Sequence, residues 1–295
     1  MSFVLAVSCG VGASIAYGAA TAIEHATAHT GTGEPDRHGL LRLLRNPRWL
    51  IGFFGDFVGL LLQTIALSAG AVVLIQPILV LSLPISLPIA WLLGGQRPRR
   101  ADYLASLVII AGLGGFFLLL GQPAQGHLLH RRHALVAVAI ALAVGGVAAL
   151  LVRGRAAPLR AAIYGGVSGA WFGLVGVLLD ASTTTWRASG LQGFTHLAGL
   201  VPLLGLLLMG GFSIVLTQVS FQVGTLGASF PANLVAAPVV AVVLGSVLLK
   251  EKVPFSPLIL VGYLACLAAV ILGSIRLADP PGEPAVACSA KSATG

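Results

Sequence analysis

An all-α, polytopic membrane bundle of about nine helices is the fold class this sequence predicts, and three observations predict it. Hydrophobic residues make up 57% of the 295 positions and charged residues only 9%, whereas a water-soluble domain carries roughly 25% charged residues. The apolar residues come in runs of about 20, the length a helix needs to cross the hydrocarbon layer. The runs lack the alternation of barrel strands, and lipid cannot satisfy an open backbone, so helix is the remaining solution. A soluble globular enzyme is excluded.

In order, the runs cover about 2–23, 48–69, 71–94, 102–120, 134–152, 160–180, 198–220, 224–249 and 255–276. The first opens on Met1-Ser2-Phe3-Val4-Leu5, without the basic stretch of a cleaved signal peptide, and reads as a retained span. The second and third are separated only by Ser68-Ala69-Gly70, and the seventh and eighth only by Gln222-Val223-Gly224. Glycine at both places suits a tight reversal. The third span carries Pro77, Pro84 and Pro88, placed on one helical face, and the eighth carries Pro231 and Pro238. A proline past the first turn removes a backbone donor and frees a carbonyl, which membranes tolerate where it is buried in protein or lines water. These spans are either broken helices flanking a site or kinked packing helices. Asp279-Pro280-Pro281-Gly282 opens a tail, 279–295, whose composition is that of a disordered segment.

The net charge of +8 has no clustered basic face and so does not imply nucleic-acid binding. Instead, the basic residues punctuate the apolar runs. With the N-terminus outside, the inner loops hold twelve Lys and Arg (Arg37, Arg42, Arg45, Arg48, Arg97, Arg99, Arg100, Arg153, Arg155, Arg160, Arg276, Lys291) and the outer loops five (Arg131, Arg132, Arg187, Lys250, Lys252). That bias predicts a multi-pass cell-membrane protein with its N-terminus outside and its C-terminus cytoplasmic. Cys9, Cys266 and Cys288 are too scattered for a disulfide framework or a metal cluster.

An internal repeat is the most informative feature. Gly10, Ser14 and Gly18 recur as Gly165, Gly169 and Gly173, an offset of 155; Gly70, Pro77 and Pro84 recur as Gly224, Pro231 and Pro238, an offset of 154. The layout is a first repeat over 1–125, a linking helix within 126–153, a second repeat over 154–278 and the tail. Five spans separate the two starts, so the copies lie in opposite orientations, the architecture of many secondary transporters with a midplane site.

Asn46-Pro47-Arg48-Trp49, Gly52, Gly55-Asp56, Gln63, Ala66-Leu67, Gln76-Pro77 and Gly112-Leu113-Gly114, with Gln218, Pro231 and Leu248-Leu249-Lys250-Glu251-Lys252 in the second half, resemble the drug/metabolite transporter superfamily. Within it they resemble the EamA-like proteins, and most of all the NIPA-type branch. The resemblance covers nearly the whole chain except the tail. It implies two inverted repeats moving a small solute or ion by alternating access, and NIPA-type relatives imply magnesium. Two departures weigh against carrying magnesium over: Gln96-Arg97 stands where that pattern has Lys-Glu-Lys, and the loop before Trp49 is long and Arg-rich.

Candidate substrate-binding residues follow from polarity at membrane depth. Asp56 is the acid well inside a span, where ionisation costs about 2.5–3.5 kcal/mol and points to a cavity, a partner or an ion path; it also matches the acid of the NIPA-type step. It either binds a cation or proton or stays protonated against a neighbouring helix. Gln63 lies two turns further on the same face, and Gln76, Gln218 and Asn233 complete the candidate set. Tyr17, Tyr164 and Trp171 either stack on a substrate or, more readily, serve as packing or interface aromatics, and the small-residue stripes read as close helix contacts. Asp180 and Glu251 fall at span ends and are gates or, more readily, boundary charges. His25 and His29, beside Glu24, have metal-pair spacing but no third ligand; His127, His130 and His133 flank Arg131-Arg132 and suit a solvated loop. No nucleophile pair, phosphate-binding loop or cofactor motif stands at membrane depth, which points away from an enzyme and from an ATP-driven pump. The expected partners are a small-molecule or ion substrate and the lipid bilayer, with a homodimer compatible. A magnesium or other divalent-cation transporter is one alternative, a non-transporting scaffold or receptor another.

Overall fold

The computed structural model describes residues 2–28, 47–93, 97–121, 129–223, 226–251, 253–254, 256 and 257–278. The tail at 279–295, with the disorder expected of it, and the first part of the linking segment lie outside those residues, as do the loop arginines Arg37, Arg42 and Arg45. The elements are α1 (Ser2–Ala28), α2 (Pro47–Ala69), α3 (Val72–Leu79), α4 (Ser82–Leu92), α5 (Arg100–Leu120), α6 (Arg131–Leu151), α7 (Ala157–Ser189), a 3₁₀ turn (Gly190–Thr195), α8 (Leu197–Val223), α9 (Leu226–Leu248) and α10 (Pro257–Ala278). Among the described residues there is no strand, and eight segments are long and apolar enough to cross a membrane, with Ala232–Leu248 of α9 a shorter apolar helix. Large apolar side chains such as Phe53, Phe54, Leu118, Leu207 and Leu258 point outward, as lipid-facing residues do. The protein is a multi-pass, all-α membrane protein.

Two of the expected elements come out differently, and the eighth run takes one of its two alternatives. The third run is two helices, not one. Pro77 sits in the last turn of α3 and Pro84 in the first turn of α4, so the chain breaks between them, at Val80-Leu81. There the backbone tightens to three-residue bonds, Val80 N to Pro77 O, Leu81 N to Ile78 O and Leu83 N to Val80 O, because a helix ending just after one proline and restarting just before another loses few hydrogen bonds. Pro88 lies within α4, exposed and away from the break, so the three prolines do not form one hinge face. The eighth run is not broken: α9 is helical through both Pro231 and Pro238, and the symmetry expected of the proline-bearing spans fails at this point. The sixth run does not stop at Asp180; α7 continues for nine more residues to Ser189. At the reversal after α2, Gly70 is needed for space more than for turn geometry, since a Cβ there would lie 2.7 Å from the Ala6 Cβ.

The small-residue stripes determine how the helices meet. In the first half, Gly10 of α1 lies against Ile75 and Ile78, the Ser14 hydroxyl donates to the Ile78 carbonyl at 2.9 Å, and Gly18 faces the Ser82 carbonyl. In the second half Gly165, Gly169 and Gly173 of α7 lie on the backbone of Ser229, Asn233 and Ala237 of α9. Ser14–Ile78, Gly18–Ser82, Gly169–Asn233 and Gly173–Ala237 each pair residues 64 apart in sequence, and the second seam is the first shifted by 155. The rising numbers on both sides make each seam a parallel pair. Close approach of this kind replaces the hydrophobic drive that lipid does not supply.

Between the halves the pairing is antiparallel. Ala105, Gly112 and Leu119 of α5 meet Gly273, Cys266 and Gly262 of α10, so one series rises as the other falls. Near its start α3 places Val73 against Gly245 near the end of α9, and beyond the break Val80 and Leu83 share a cluster with Leu234. The main buried cluster centres on α3, where Val72 to Ile78 are all buried, with Leu67, Leu174, Val177, Leu178, Met209 and Ala241 around it. The linking helix α6 packs on α7 and α8 and is pinned by the Trp171 indole N–H, which donates to the Ala141 carbonyl at 2.9 Å.

Candidate functional site

The candidate residues separate into three polar clusters. The first lies between α1 and α2. The Tyr17 hydroxyl donates to Gln63 Oε1 at 2.8 Å. Its ring lies on Gly59, where a Cβ would come within 2.8 Å. Asp56, partly buried, is within electrostatic range of Tyr17. Asp56 and Gln63 thus share a face, as their spacing predicts, and Tyr17 serves as a hydrogen-bonding residue, beyond the packing role expected for it. Tyr17→Phe is expected to cost about 0.5–1.5 kcal/mol in unfolding free energy, read by thermal unfolding in detergent, because buried Gln63 loses its donor; an unchanged midpoint would remove this contact from the account.

The second cluster joins α7, α8 and α9. Ser168 Oγ donates to the Ser213 carbonyl at 2.8 Å, so the 2.5 Å contact with Thr217 Oγ1 uses the threonine proton. Asn233 Nδ2 then donates to Ser168 Oγ at 3.1 Å and Thr217 Oγ1 at 3.3 Å. Asn233 is therefore placed by two hydroxyls while its own backbone lies on Gly169. Gln218 belongs to α8 and stands 155 residues after Gln63, but its side chain lies outside the described residues, as does that of Pro231.

The third cluster was not foreseen as one. Gln76 of α3, only 6% exposed, packs its amide directly on Gly176 of α7, and its Nε2 has no hydrogen-bond partner. One turn above Gly176 is Asp180. Glu251, 4% exposed, comes from the loop after α9 and accepts the Val72 and Val73 amides at 2.8 and 2.9 Å. It caps the N-terminus of α3, where a carboxylate meets orphan donors and the positive end of the helix dipole. Lys250, with φ of 55°, turns the chain back so that the Glu251 amide reaches the Gly245 carbonyl, the left-handed reversal that ends many helices. Burial pushes the Glu251 carboxyl up, and the amides of Val73 and Val72 pull it back. Glu251 and Arg187 each lie within electrostatic range of Asp180, and Arg187 Nη1 donates to the Ser68 carbonyl.

Glu251 is thus a buried cap instead of a boundary charge, and Asp180, half-buried, stands within α7 instead of at its end. For Asp180, the sign in the sequence was a polar stretch, Asp180 to Thr185, that continues α7 instead of ending it. For Glu251 it was an acid at a span junction, which sequence alone cannot direct toward a helix start 179 residues earlier. The second and third clusters share α7 as a wall: Gly165, Gly169, Gly173, Gly176 and Asp180 follow one helical face over about 22 Å. Among the described residues no three His, Cys, Asp or Glu side chains gather as a metal set; Glu24, His25, His29 and His127 lie outside the described side chains.

Fold and polar interior define a polytopic helical membrane protein with an internal repeat of helix contacts. The chain is 34% identical over 218 residues to an uncharacterized protein of Corynebacterium glutamicum, covering 72% of this chain and 73% of the relative, and it belongs to the same family. No family model and no solved structure matches it.

Proposed function

We propose that this protein is a secondary transporter that moves a small solute or ion across the cell membrane by alternating access between two inverted repeats, with its N-terminus outside. The observation that carries the reading is the duplicated seam: the same close contact, 64 residues across, occurs in each half at an offset of 155. The antiparallel pairings of α5 with α10 and of α3 with α9 support opposite orientations, since these are the elements the repeat makes equivalent. The polar clusters along α7, and the break between α3 and α4 beside it, supply a polar lining and a bending point. The resemblance to the drug/metabolite transporters agrees with this reading. Magnesium is the second candidate substrate, because the described residues bring two carboxylates together only at Asp180 and Glu251, with one already holding two amides and Arg187 in range.

The test is flux in reconstituted vesicles under an imposed pH gradient or potential, with a metabolite panel, protons and magnesium as probes. Gradient-driven, saturable movement of one of them is expected. A protein correctly inserted yet inert to the whole panel would favour the scaffold or receptor reading.

A further inference from the structure

We propose that Asp180 is a reversible proton-binding site whose deprotonated carboxylate is received by the Gln76 amide. The use of that proton to drive solute movement rests on the transporter reading; proton binding does not. Gln76 Nε2 is a buried donor with no acceptor, and it lies on the face of α7 that carries Gly176 and, one turn on, Asp180. A buried donor left unmatched in one state calls for an acceptor in another. Asp180 stands one turn beyond Gly176 on that face, and the carboxylate formed when it loses its proton supplies such an acceptor, whereas Glu251 is committed to Val72 and Val73.

The charged groups within electrostatic range of Asp180 include Glu251, from the loop after α9, and Arg187, two turns further on α7. A proton requires no cavity, which suits a place where the Gln76 amide already packs on the Gly176 backbone. Proton transfer breaks the Asp180 O–H bond and passes the proton to water, leaving a carboxylate that draws the amide of α3 along α7. The pull acts on the short helix that ends at the Val80-Leu81 break, so α3 can shift without dragging α4. The charge change and the bending point are thereby in one element.

Infrared difference spectroscopy of the purified full chain, titrated from acid to alkaline pH in detergent, tests this. A carboxyl protonation step is expected that disappears in Asp180→Asn, persists in Asp180→Glu, persists in Glu251→Gln, and moves to higher pH in Gln76→Leu, where the receiving donor is gone. A wild-type step unaffected by Asp180→Asn, or an unmoved midpoint in Gln76→Leu, overturns the proposal. If the step behaves as described while no solute in the vesicle panel responds to a pH gradient, the proton site stands and the transporter reading fails.

Discussion

Glu251→Ala is expected to lower the unfolding free energy by about 2–6 kcal/mol, at roughly 1–3 kcal/mol for each buried amide left without a partner. The carboxylate is 4% exposed and serves the first two amides of α3, the helix on which the main buried cluster is centred. Loosening that start also lets Gln76 move relative to Gly176. Glu251→Gln keeps one acceptor oxygen and is expected to lose about half as much, and Glu251→Asp, one methylene shorter, to fall between the two. Thermal unfolding in a fixed detergent gives the comparison. An alanine variant within about 0.5 kcal/mol of the parent, the range of an ordinary surface change, would show that the contact does not hold α3 in place.

Gly169→Ala is expected to cost about 1–3 kcal/mol as an overpacked seam, and Gly169→Val to prevent recovery of folded protein. A single Cβ at this position meets the Asn233 carbonyl, which is backbone and cannot rotate away. The same displacement carries the Asn233 side chain off Ser168 and Thr217, so on the proposed transporter function solute flux should fall as well. Gly18→Ala, whose Cβ would lie 2.7 Å from the Ser82 carbonyl, should behave alike if the two seams are equivalent. Gly166→Ala, with no atom within 4 Å, is the control and should stabilise α7 by about 0.5–1 kcal/mol. Equal tolerance at 166 and 169, measured by detergent-extracted yield and melting temperature, would contradict the tight parallel pairing on which the repeat rests.

Both substitutions act where residues distant in sequence touch, and such places are the least legible from sequence. Gly10, Ser14 and Gly18 announce a close helix contact by their spacing, and their recurrence at 165, 169 and 173 announces that the contact is made twice. The spacing does not say that the partner is 64 residues on. Likewise Pro77 and Pro84 signal an interrupted span, but only the observed backbone puts the interruption between them and leaves Pro88 aside, while α9 absorbs Pro231 and Pro238 without breaking. Asp56 and Gln63 are foreseeable as neighbours because two turns of one helix bring them together; that Tyr17 lies between them depends on α1 and α2 pairing.

Hydrophobic run length and the scarcity of charge settled by sequence alone that this chain is a bundle of membrane helices, since each run answers only to the thickness of the lipid and the need to close its own backbone hydrogen bonds. The small-residue periods likewise predicted a close helix contact in each half, which the structure shows at Ser14–Ile78 and Gly169–Asn233. The tertiary structure alone decided that Glu251 caps α3, that Gln76 Nε2 lies unpaired on Gly176, and that Asp180 comes within electrostatic range of Glu251. The reason is range: a helix forms from bonds four residues apart, whereas a polar group in lipid finds its partner across helices, wherever the packed bundle brings one within reach.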